Sequence, residues 1–69
     1  MAVLIEQYAL GWHRQKGAHF RIKPAGRGWS NWVQVPAADL AALAAIFDEQ
    51  PVYLQPDNSI TTGPEPIGQ

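Results

Sequence analysis

Ala18-His19-Phe20-Arg21-Ile22-Lys23 alternates polar and apolar side chains from His19 onward without a break. A period of two places Phe20 and Ile22 on one face of a strand and His19, Arg21 and Lys23 on the other. The sextet therefore predicts a half-buried strand with an apolar side that needs a cover and a cationic side that faces water. The sequence on either side supplies both partner strands and the cover.

Upstream, the β-branched and aromatic content from Val3 to Leu10 predicts a first strand over residues 2–10. The glycine-bounded stretch Gly11-Trp12-His13-Arg14-Gln15-Lys16-Gly17 is expected as a loop. Downstream, Pro24-Ala25-Gly26-Arg27-Gly28 reads as a turn, because proline presets one φ and glycine accepts positive φ. A third strand is expected from Trp29 to Val35. Its two valines mark Trp29, Asn31, Val33 and Val35 as the core face, leaving Ser30, Trp32 and Gln34 outward. If the second and third strands pair, Trp32 shares a side with His19, Arg21 and Lys23.

Pro36 closes that strand, and a helix is expected over Ala37 to about Glu49. Leu40, Leu43, Ala44 and Phe47 fall at i, i+3, i+4 and i+7, and Asp39 suits the positive end of the helix dipole. Pro51 stops the helix. Val52 to Gln55 reads as a short strand, Pro56-Asp57-Asn58-Ser59 as a turn and Ile60 to Thr62 as a returning edge. The expected fold class is α+β: a small antiparallel sheet in the order β-β-β-α-β, with material for a final hairpin, and one helix packed on one face. Residues 1–62 form the single expected domain. Residues 63–69, carrying Gly and Pro without periodicity, are expected to be an extended or frayed tail.

Sixty-nine residues allow one modest core. The absence of cysteine excludes a disulfide framework, a thiolate metal site and a cysteine nucleophile. No apolar run approaches the roughly 18 residues needed to cross a bilayer, and Met1 to Ile5 lacks the basic region and cleavage site of a signal peptide. A cytoplasmic protein without membrane association is the expectation.

The net charge of −1 conceals a segregation. All five cations (Arg14, Lys16, Arg21, Lys23 and Arg27) and both histidines lie within residues 13–27, bracketed by Trp12, Trp29 and Trp32, while all six acids lie outside that window. Cations with interleaved aromatics match what single-stranded nucleic acid requires, namely charge along the phosphates and flat rings for the bases. The candidate ligand-binding residues are Arg14, Lys16, His19, Arg21, Lys23 and Arg27 with Trp12 and Trp32, and Tyr8 as a further platform. Five phosphate contacts on a single strand predict a log–log salt slope of about −3.5. A protein partner with an acidic surface would explain the same charge pattern, so an oligomeric adaptor or structural protein is the alternative.

Catalysis is not expected. Two serines, two threonines and two histidines are available, with neither a Gly-x-Ser-x-Gly elbow nor a phosphate-cradling Gly-Lys-Ser/Thr ending. Asp48 and Glu49 are adjacent on the helix and point about 100° apart, so they cannot face each other as an acid–base pair. His13 and His19 have no nearby carboxylate or third ligand, so neither a metal nor a cofactor is expected. From Leu40 through Phe47 the helix carries no charge, and its back presents Ala38, Ala42 and Ala45 with Ile46 on a flank. An apolar back on so small a chain points to a homo-oligomer, a homodimer in the simplest case, through those four residues.

Overall fold

The computed structural model describes residues 2–65 and 67. Five strands and one helix follow one another as β1 (Val3–His13), β2 (Gly17–Pro24), β3 (Val33–Val35), α1 (Ala37–Phe47), β4 (Tyr53–Leu54) and β5 (Ile60–Thr61). All pairings are antiparallel and the spatial order is β3-β2-β1-β4-β5. The α+β class, the single helix and the final hairpin agree with the sequence expectation.

β1 is the spine. Val3 and Leu4 pair with β4, whereas the segment from Ile5 to His13 pairs with β2. The register shifts between Ile5, opposite Pro24, and Gln7, opposite Lys23, so Glu6 has no partner of its own. Such a bulge resets the alternation. Val3 and Ile5 precede it on the core side, and Tyr8 and Leu10 continue that side after it, opposite Ile22 and Phe20. The bulge places Glu6 where the apolar pattern skips a step.

The first hairpin is longer than expected. β1 runs on through Trp12, opposite Ala18, and His13, opposite Gly17, so the connection shrinks from seven residues to Arg14-Gln15-Lys16. Two local devices allow this. Gly17 takes a φ of +85°, a region open to glycine. The His13 Nδ1 accepts the backbone N–H groups of Gln15 and Lys16 at 3.0 and 3.1 Å, closing the turn as an Asx side chain would. β3 is shorter than expected, three residues in place of seven, because the chain from Ala25 to Trp32 forms a turn and an irregular segment. Ser30 ties that segment to β2. Its N–H donates to the Ile22 carbonyl at 2.8 Å, and its Oγ accepts the Ile22 N–H at 3.0 Å.

Ile5, Ile22, Phe47 and Val52 form the buried cluster, with Leu10, Phe20, Leu43, Ile46, Leu54 and Ile60 packed around it. Phe47 is 1% exposed and its ring stacks on Tyr8 with centroids 4.3 Å apart and planes at 7°. Burial of a phenylalanine side chain contributes about 2–3 kcal/mol, and the stacked pair adds about 1 kcal/mol. Ala44 and Ile46 flank the Leu40–Leu43–Phe47 stripe on opposite sides. The helix is rolled so that Ile46 meets the core and Ala44 is exposed. This corrects both assignments, for burying the larger apolar side chain gains more. The helix ends at Phe47, two residues early, where Asp48 caps it by donating its N–H to Ala44.

Beyond the helix, the β4–β5 connection is a tight turn with Asn58 at a φ of 70°. Asp57 Oδ1 accepts the Ser59 hydroxyl at 2.6 Å and the Ser59 N–H at 3.0 Å, and these bonds hold its carboxyl below the usual aspartate range. Gln55, 2% exposed, donates to Thr61 Oγ1 at 3.0 Å and to the Pro64 carbonyl at 3.3 Å. The first residues of the expected tail are thus tied to the hairpin. Residues 66, 68 and 69 of that tail lie outside the described residues.

Candidate anionic-ligand interface

Strand alternation sorts the hairpin residues onto two faces. Ala18, Phe20 and Ile22 point to the helix, so His19, Arg21 and Lys23 point away, opposite Gly11, Ala9 and Gln7. Small residues on β1 leave room over that outer face. Trp32 uses it: its Cζ3 and Cη2 atoms come within 3.5 Å of the position a β-carbon would take on Gly11. The indole extends from the β3 side across β2 to β1.

Arg21 sits between two tryptophans. Its guanidinium carbon lies 4.6 Å from the centroid of a Trp29 ring and 5.1 Å from that of a Trp32 ring. Both distances are within the roughly 6 Å reach of a cation–π contact, where delocalised, weakly hydrated guanidinium groups are favoured. Trp29 and Trp32 remain 40% and 49% exposed. Trp29 is therefore not a core residue. The irregular chain before β3 breaks the alternation that assigned it inward, and the Ser30 bonds to Ile22 set it down on Arg21 instead. Arg21 Nε is buried without a hydrogen-bond partner. Its charge is used inside the aromatic stack, a role the sequence pattern did not distinguish from a phosphate contact.

Toward the hairpin tip the same face opens into a cavity of about 380 Å³ lined by Gly11, Trp12, His13, Lys16, His19 and Trp32. His19 Nδ1 donates to the Gly17 carbonyl at 3.2 Å, leaving the Nε2 edge of the neutral ring as an acceptor. His13 has the opposite polarity. Its Nδ1 accepts two N–H groups, which leaves Nε2–H as a donor.

The expected site residues divide accordingly. His19, Arg21, Lys23 and Trp32 share the outer face, with Lys16 at the cavity and Arg14 exposed in the adjoining turn. Trp12, 69% exposed, borders the cavity, but its register opposite Ala18 puts it on the helix side of the sheet. The extension of β1 through position 12 causes this, since residue 12 in a free loop had no fixed side. Arg27 lies elsewhere: it lines a cleft with Phe20, Ile22 and Leu54 on the helix side. Tyr8 is stacked on Phe47 and is not a platform on the outer face. Trp29 and the turn-closing His13 were missed. The signal for His13 was its position immediately before a three-residue connection that is followed by glycine.

Among the described residues, no helix is long and apolar enough to cross a membrane. Comparison with protein-family models, with curated proteins and with solved structures finds no match.

Proposed function

We propose that this chain is a non-catalytic binding module whose outer hairpin face takes single-stranded nucleic acid. The observation that carries the reading is the half-exposed Trp29–Arg21–Trp32 stack, on the side of the sheet that also presents His19 and Lys23. Rings held in fixed planes are ready for bases at little cost in side-chain entropy, and stacking contributes about 1–3 kcal/mol per base. Tryptophan fluorescence tests it directly. A single-stranded oligonucleotide should quench emission at low salt, high salt should reverse the effect, and Trp32→Ala should weaken binding about tenfold or more. No quenching at low salt and micromolar concentration would refute the reading and transfer the face to the rival ligand, an acidic protein surface.

We infer in addition that copies of the chain associate through the back of the helix. Ala38, Ala42 and Ala45 are exposed, and a surface of small apolar residues allows a second copy to approach closely. Ile46, packed on the core, is set aside from that seam. Light scattering should give a mass above the 7.6 kDa of one chain, and Ala42→Glu should return it to that value. A monomer at all concentrations, or an assembly unmoved by Ala42→Glu, would rule out this seam.

A further inference from the structure

The cavity at the hairpin tip is distinct from the open stack beside it, and its walls specify a ligand. Trp32 supplies a flat apolar wall. Lys16 and His13, with its Nε2–H donor, also line it, and the Trp32 ring lies over Gly11, whose missing side chain admits it. Arg21 does not line the cavity; its guanidinium carbon lies 5.1 Å from the centroid of a Trp32 ring. Trp32 is 49% exposed, and its indole suits a stacked planar ring. The donors beyond that ring suit an anion. At about 380 Å³ the space is at the small end for a ligand pocket.

We propose that this cavity is a subsite for a single nucleotide, with the base stacked on Trp32 and the phosphate held by Lys16 and His13. This rests on the nucleic-acid reading of the outer face and narrows it to one position along the strand. The shared chemistry, base plus phosphate, is offered equally by a free mononucleotide and by one unit of a strand.

The test uses the full chain labelled with ¹⁵N and four probes: a nucleoside monophosphate, the nucleoside without phosphate, inorganic phosphate and a short single-stranded oligonucleotide. The monophosphate should shift the Trp32 indole N–H and the amides of Gly11 and Gly17 saturably. The nucleoside should bind about tenfold more weakly, and phosphate alone should leave the indole unmoved. Gly11→Leu, whose side chain meets the Trp32 ring, should abolish the monophosphate shifts and leave a weaker oligonucleotide binding through Trp29 and Lys23. Because Gly11→Leu could displace Trp32, Lys16→Gln serves as a second variant. Lys16 contributes its carbonyl, not its side chain, to the bond from Gln34, and its loss should weaken the monophosphate about tenfold.

Oligonucleotide binding without monophosphate shifts, and unchanged in both variants, would overturn the subsite and leave the face intact. Failure of every probe would overturn both. Saturation by the monophosphate with an oligonucleotide no tighter would keep the subsite and identify the free nucleotide as its ligand.

Discussion

Arg21 shows how one side chain can be assigned correctly to a face and still be misjudged in role. Alternation with Phe20 and Ile22 places it outward, and five cations in one window suggest a phosphate contact. Its surroundings depend on Trp29 and Trp32, which reach it from a segment eight to eleven positions away and are seated there by Ser30. Two cation–π contacts at half-exposed sites contribute about 0.5–1 kcal/mol each. Arg21→Lys keeps the charge but loses the planar group, and it should lower stability by about 1 kcal/mol in urea unfolding, with a loss of tryptophan signal in near-ultraviolet circular dichroism. Unchanged stability and an unchanged spectrum would show that the stack orders nothing. His13 was equally hard to assign from sequence, because its use as an acceptor appears only once β1 runs to the tip and the turn tightens around its Nδ1.

At the element scale, hydrophobic period was the dependable signal and irregular backbone the undependable one. β2 is observed close to where its alternation put it, and the helix begins as expected after Pro36. The third strand failed over its first half because Ser30 replaces a regular ladder with a side-chain bond to Ile22. Ser30→Ala removes that acceptor and leaves a partly buried N–H without its partner, so it should cost about 1–2 kcal/mol. Hydrogen exchange at the Ile22 amide should accelerate; protection equal to that of the parent would assign the hold on this segment elsewhere. The β4–β5 turn carries a pH signature. Asp57 is held below its ordinary range by Ser59, so its ionised form is favoured in the folded state. The stabilisation is present above the unfolded value of about 4 and is lost as pH falls through the lower folded value. Thermal unfolding should show this decline below about pH 4, and Ser59→Ala should flatten that limb of the curve. Because the carboxylate is exposed, the effect should be small and should diminish in high salt.

For the whole molecule, the distribution of cations sets the expected response to salt. Five phosphate contacts predicted a slope of about −3.5. With Arg21 engaged by tryptophan and Arg27 on the helix-side cleft, Arg14, Lys16 and Lys23 remain, and the slope should be about −2. Titrations of an oligonucleotide at several salt concentrations measure it directly, and a slope near −3.5 would restore Arg21 and Arg27 as phosphate contacts. The sequence by itself determined the α+β class, the inward side of β2, the Leu40–Leu43–Phe47 stripe of the helix, and the confinement of positive charge to residues 14–27. These follow from period and position, which are properties of neighbouring residues. Only the tertiary structure decided that Glu6 is a bulge, that the first hairpin extends to His13, that Trp29 and Trp32 enclose Arg21, and that a cavity opens beside Gly11. Each depends on register between segments distant in the chain, and register is chosen by the packing of the whole core and not by local pattern.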